Sequence, residues 1–156
     1  MGISVTGVEE LKFILQKASA QAPKHVFDQM KREGKKLQTL ARAMAPVDVG
    51  NLEEAITLET EGGGRDSRGR FLAKVVAVFI DMNQPVEGRP GHVVGEYAYE
   101  MHEHLTPAGP MKLGKKSQAK QAGQSETVGG GFMERAGDEI EAGMMGRLID
   151  VARLYL

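Results

Sequence analysis

Apolar or small residues fall at Val8, Leu11, Leu15, Ala18 and Ala22, with spacings that alternate three and four. That alternation is the stripe of an amphipathic helix. Thr6 supplies an N-cap, Glu9 three residues later completes a capping-box pattern, and Glu10 adds a second acid to the first turn. Pro23 interrupts the stripe, because proline is tolerated in a first helical turn and not inside a helix. A second helix is predicted beyond it, with Val26, Met30, Gly34, Leu37, Ala41 and Met44 on one face. Lys24, Lys31, Arg32, Lys35, Lys36 and Arg42 make the opposite face basic. Pro46 ends this helix, since the residue before a proline is pushed out of the helical region.

The period then changes. "ITLETE" (56–61) opens on a β-branched residue and alternates in part, as a strand does, and "GGGRDSRGR" (62–70) follows as a Gly-rich, charged, flexible hairpin connection. "FLAKVVAVFIDM" (71–82) is the clearest strand pattern, and it is apolar on both faces: Phe71, Val75 and Phe79 on one, Leu72, Val76, Val78 and Ile80 on the other apart from Lys74. A strand of that kind is either central in a covered sheet or covered by a partner subunit. Residues 83–95 form a Pro- and Gly-rich loop, and "EYAYEMHEHL" (96–105) fits a short helix or a strand end. Residues 106–131 have no apolar period and are expected to form a long flexible loop, of the kind that in compact domains is functional or disordered. The last segment, 132–155, returns to a helical stripe at Met133, Ala136, Ile140, Met144, Leu148 and Val151. Its Gly137, Gly143 and Gly146 each cost roughly 1 kcal/mol against Ala, so this helix needs packing to hold.

Composition narrows the class. The chain has 156 residues, 41% hydrophobic and 26% charged, which fits one ordinary globular domain spanning 1–156. No apolar run approaches roughly 18 residues, so no transmembrane helix is expected, and the start lacks the basic-then-apolar order of a signal peptide. "MGISVT" fits a myristoylation pattern without a second membrane signal. No cysteine is present, which excludes disulfides and thiolate-ligated metals, and an intracellular protein is expected. Net charge is −1, so no global attraction to polyanions follows. The charge is unevenly placed: residues 12–42 hold eight Lys or Arg against two acids, and 134–150 hold five acids against two Arg. Such polarity fits head-to-tail contacts between copies, and equally two solvated helix faces. Nine Met, twenty Gly and no Trp predict adaptable packing and a monomer of modest stability.

Candidate chemistry is sparse. "HEH" (102–104) places two imidazoles at i and i+2, on one face of a strand but apart on a helix. A zinc site needs three or four ligands, and His92 joins the pair only if its loop folds back. The Gly runs 62–64 and 129–131 lack the Lys and Ser or Thr of a phosphate-binding loop, and no nucleophile motif is present. Glu53 and Glu54 are adjacent and point apart on a helix. No catalytic residue, cofactor or metal is therefore assigned, and a His-metal hydrolase stands as the least favoured alternative. A DNA-binding accessory protein is the other alternative, using the basic helix and the loop cations Lys112, Lys115, Lys116 and Lys120. Net charge and the lack of interleaved aromatics oppose it.

The most tightly punctuated stretch is "APVDVGNLEEAI" (45–56). Pro46 ends the helix, Asp48 or Asn51 can cap a new turn, Asn51 with Glu54 three residues on, and Gly50 permits a backbone conformation closed to other residues. Leu52 and Ile56 then anchor the turn, making a rigid corner between helix and sheet. This stretch resembles the A-P-V-D-T-G-x-L-x-x-S-I signature of the small neck or tail-completion proteins (minor tail components) of long-tailed bacteriophages. "YAYEMHEHL" is similar to that family's Y-A-x-Y-V-H-E-x-L element, and "GGGFMERAGDE" to its closing K-F-L-E-R-A. The three occur in the family's order and, with the helix pair around Ala22-Pro23, cover most of residues 8–150. Val49 stands for the usual Thr, Met101 for a common Val, and Glu53-Glu54-Ala55 for a more basic or Ser-bearing run.

The resemblance implies an α+β protomer, with long N-terminal helices and a C-terminal helix packed on a small antiparallel β-sheet. It implies a homo-oligomeric ring in the virion neck, assembled in the host cytoplasm, with connector, tail-terminator or tail-tube proteins as neighbours. DNA would pass through the lumen without sequence-specific binding. Structural roles follow for Pro46, Asp48, Gly50, Asn51 and Leu52 at the corner, and for Tyr97, Tyr99, His102, Glu103 and Phe132 in the later motifs. Membrane attachment and enzymatic turnover are not expected.

Overall fold

The computed structural model describes residues 22–47, 50–64, 66–69, 74–103 and 112–154. In chain order these form α1 (Ala22–Met44), α2 (Asn51–Ala55), β1 (Ile56–Gly62), β2 (Lys74–Ile80), α3 (Gly95–Glu103), α4 (Lys115–Ala122) and α5 (Phe132–Arg153). The fold is α+β, with helices packed on a small two-stranded antiparallel sheet. The stripe expected from Val8 to Ala18, its Thr6 cap, and Asp48, Phe71, Leu72 and His104 lie outside the described residues.

Pro23 falls in the first turn of α1, where its missing N–H would have had no intrahelical partner. Val26, Ala41 and Met44 are buried as the stripe predicts. Two polar residues off that stripe, Glu33 and Gln38, are buried as well. Gln38 Nε2 donates to Ile56 O at 2.8 Å, and Arg42 Nε and Nη2 reach the same carbonyl at 3.1 and 2.8 Å. One cation of the basic face therefore holds α1 to the start of β1.

The strands pair from Ile56↔Ile80 to Gly62↔Lys74. With a period of two, Leu58, Val76, Val78 and Ile80 share one face. α1 comes down on that face at Gly34, where an added Cβ would stand 2.6 Å from Val76 Cγ1 and 2.9 Å from Leu58 Cδ1. The other face carries Val75, Ala77 and Phe79 opposite Glu61, Glu59 and Thr57, and Val75 is 50% exposed.

The core lies in two parts. Ala41, Met44, Leu52, Ile56, Val94 and Phe132 belong to the part around the corner. Full burial of Ile56 and Phe132 contributes about 1.5–3 kcal/mol each. Val26, Leu148 and Ala152 form the other, filled out by Met30, Met144 and Val151. The start of α1 thus meets the end of α5, and the two helices run antiparallel. Between the two apolar parts sits Glu33, 1% exposed, gripped through both oxygens by Arg147: Nε to Oε1 at 2.9 Å and Nη2 to Oε2 at 2.7 Å. Gln29 and Lys36 add donors at 2.6 and 3.1 Å. Gly143 leaves room for the guanidinium, since a Cβ there would collide with Arg147 Nη1.

Of the two readings left open for "EYAYEMHEHL", the helix is the one found, as far as Glu103. One expectation is corrected. The 106–131 stretch is not one long flexible loop: it contains α4, and Ser117 and Val128 are buried. It has no apolar period because polar contacts hold it. Lys120 Nζ donates to Arg42 O and Ala45 O at 2.6 and 2.8 Å, Gln124 Nε2 to Ala43 O at 2.7 Å, and Gly129 N to Met44 O at 3.0 Å. These are the carbonyls a helix leaves without partners at its C-terminus.

Two stability predictions follow from this arrangement. Gly34→Ala gains about 1 kcal/mol of helix propensity but drives a methyl against Val76 and Leu58, at a cost of about 1–3 kcal/mol. A net loss is expected in urea unfolding. The hydrogen bonds from Arg147 are the largest influence on Glu33; with those from Lys36 and Gln29 they outweigh desolvation, which acts upward, and lower its pKa from the usual 4.5 to about 2. A depressed carboxylate stabilises the fold above the unfolded-state value and loses that contribution as pH falls through the folded one. Stability should therefore drop between about pH 4.5 and 2, and Glu33→Gln should remove that component while costing about 2–3 kcal/mol at neutral pH. Unfolding curves of both proteins across pH check it.

Candidate functional site

The corner after α1 is built by Gly50 and Asn51. Gly50 occupies the N-cap of α2 with φ 93° and no capping side chain, a conformation open to glycine. Asn51 is the first helical residue and not the cap; its Oδ1 instead accepts the N–H of Glu87 at 2.8 Å, which ties the corner to the 83–95 loop. Leu52 is buried, as expected of the anchor. Val47 is held across 70 residues by Ser117, whose hydroxyl donates to Val47 O at 2.9 Å and accepts from Val47 N at 2.8 Å.

These contacts enclose a cavity of about 830 Å³. Pro46, Val47, Gly50, Asn51 and Leu52 form one wall, and Tyr97 and Met101 of α3 with Val86 form an apolar second side. Lys112, Lys115, Lys116 and Ser117 enter from the start of α4, and Arg89 and Glu87 from the loop. Three stretches singled out in the sequence for separate reasons, namely the corner, the Tyr97 motif and the lysine loop, thus meet at one place. Arg89 and Ser117 were not legible as part of it. A charge in a Pro/Gly loop and a serine in a lysine-rich run carry no signal of a partner dozens of residues away.

Other motif residues lie elsewhere. Phe132 is fully buried, and the His102 ring meets it edge-on with centroids 5.0 Å apart. His102 Nδ1 pairs with Glu103 Oε1 at 3.0 Å, and its buried Nε2 has no partner. His92 Nδ1 pairs with Glu96 Oε2 at 2.7 Å, a contact that also lowers the Glu96 pKa. Each of these imidazoles has its own neighbouring carboxylate, and among the described residues no three His, Asp or Glu come together as a metal site. Tyr99 lies on the exposed side of α3.

Lys120, expected among the loop cations free to face DNA, is not free. Only 17% of its side chain is exposed, and besides the two α1 carbonyls it bonds Glu53 Oε1. Several α1 cations are likewise engaged: Lys31 with Asp28, Lys35 with Gln38, Lys36 with Glu33 and Arg42 with Ile56 O. Lys112, Lys115, Lys116 and Arg89 differ, since no carboxylate pairs with them among the described residues.

Lys120→Met keeps the stem and removes three charge-assisted bonds. It should cost about 2–4 kcal/mol in chemical denaturation, and Lys116→Gln less than about 0.5 kcal/mol. Comparison with family models, with curated proteins and with solved structures returns no match to this chain.

Proposed function

We propose that this chain is a neck, or tail-completion, protein of a long-tailed bacteriophage. Copies of it form a ring between head and tail, next to connector, tail-terminator or tail-tube proteins. The three ordered motif resemblances suggest the reading. The observation that carries it is β2: among the described residues it pairs on one side only, with β1. Its sequence, KVVAVFI, has no charge after Lys74 and no proline. Edge strands of monomeric proteins are usually blunted by such residues or covered. An apolar edge with Val75, Ala77 and Phe79 on the sheet's outer face favours completion by another protein surface.

The function is mechanical on this reading. Heterologous contacts between copies close the ring, and DNA passes through it without sequence-specific readout. A separate DNA-binding role draws less support, because Lys120 and Arg42 are engaged inside the fold. The histidine-metal reading draws less still, given the separate carboxylate partners of His92 and His102.

Native mass spectrometry of the purified chain should find a closed oligomer, and Val75→Lys should shift it toward protomers without loss of helicity. Particles of the source phage should contain the chain at the neck. A protomer that stays single at every concentration and is absent from virions would overturn the proposal.

A further inference from the structure

The outer face of the sheet is split along its length. Val75, Ala77 and Phe79 of β2 lie opposite Glu61, Glu59 and Thr57 of β1, so an apolar half runs beside an acidic one. Val75 is half exposed, and Glu59 and Glu61 are exposed and pair with no cation among the described residues. Among those residues Val78 and Ile80 pack against the core from the inner face, whereas Val75, Ala77 and Phe79 join neither part of it. An apolar sheet face is buried by laying another element on it.

The chain carries an element of matching chemistry. As a helix, the stripe Val8, Leu11, Leu15 and Ala18 would span about 15 Å, and residues 75–79 span about 13 Å of strand. At about 100° per residue Lys12 borders that stripe, while Glu9 and Glu10 point away from it. An apolar helix edged by a lysine complements an apolar strand edged by two glutamates. The stripe of the same chain does not reach this face. α1 begins at Ala22 and covers the inner face, with Gly34 against Val76 and Leu58 and Phe27 beside Lys74 Nζ. A helix on the outer face lies two packing layers away, roughly 20 Å at about 10 Å each. The four residue steps between Ala18 and Ala22 cover at most about 14 Å. The stripe of another copy has no such limit.

We propose that the outer face of the sheet seats the 8–18 helix of a neighbouring copy. This rests on ring assembly and names the contact that closes it. Leu11 and Leu15 lie over Val75, Ala77 and Phe79, and Lys12 meets Glu59 or Glu61. Each copy gives its leading segment to the next and receives one on β2. The giving and receiving surfaces differ, so the contact is heterologous and continues around a ring.

The chain has no cysteine, so introduced pairs report without background. Chains carrying Leu15→Cys are co-expressed with tagged chains carrying Val75→Cys, oxidised mildly and read by intact mass. A disulfide joining a tagged to an untagged chain is expected. Adding Leu11→Asp to the untagged chains should abolish it, and Glu10→Cys in place of Leu15→Cys should lower the yield severalfold. Ala77→Cys serves as the receiving position should Val75→Cys misfold. A disulfide within one chain that carries both cysteines would overturn the proposal, as would a yield that Leu11→Asp leaves unchanged. Native mass spectrometry of the unsubstituted chain separates this contact from ring assembly. A closed oligomer without the tagged–untagged disulfide overturns the contact and leaves the ring standing, whereas a single protomer at every concentration removes both.

Discussion

The carbonyls at the end of α1 govern the arrangement of this molecule. Pro46 stops the helix, and a stopped helix leaves its last carbonyls without intrahelical donors. Here Ala45 N–H closes onto Ala41 O, Lys120 takes Arg42 O and Ala45 O, Gln124 takes Ala43 O, and Gly129 N–H takes Met44 O. One side-chain cation, one amide and one backbone group, all from residues 120–129, finish a helix that ended dozens of residues earlier. Arg135 fastens the far end of this wrap by collecting the carbonyls of Thr127, Gly129 and Gly130 at 2.7, 3.1 and 3.2 Å. That gives the arginine of "FMERA" a physical role, and it delivers Phe132 to the core in the same turn.

Because α4 is placed by those carbonyls, its N-terminus is placed as well. Ser117 then grips Val47, and the first turn of α4 faces the corner that Gly50 and Asn51 build. The cavity is thus a consequence of how a helix end is satisfied. It stays open because the residues around it are anchored elsewhere: Leu52 and Val86 in the core, Ser117 on Val47 and Asn51 on Glu87.

α1 also has to serve two faces. Toward the sheet it offers Gly34, which allows Val76 and Leu58 to come against the helix itself. Toward α5 it offers two apolar patches separated by the Glu33–Arg147 pair. A buried bidentate pair adds little net stability over an apolar substitute, yet it is strongly unfavourable when broken. At mid-helix it works against any slide of α5 along α1 that would leave the carboxylate unpaired. Charged side chains in this protein therefore divide sharply. Glu33, Arg42, Lys120, Arg135 and Arg147 hold the fold, while Arg89, Lys112, Lys115 and Lys116 are left around one opening.

The local pattern of the chain determined the elements whose burial repeats along their own length. The second predicted helix and its stop at Pro46, the strand beginning at Ile56, the strand within 71–82, the corner anchored by Leu52 and Ile56, and the helix from Phe132 were legible because apolar period and Pro or Gly punctuation are local signals. α4 was invisible for the opposite reason. Its residues, KKSQAKQA, bury almost nothing apolar and are fixed by hydrogen bonds to groups dozens of residues distant. The same holds for Glu33, a charged position whose burial depends on Arg147, and for the difference between Lys120 and Lys116, which are the same residue type four places apart. Whether a polar side chain ends in solvent, in a cap or at a cavity mouth is decided by the distant groups that packing brings beside it, and that only the tertiary structure supplies.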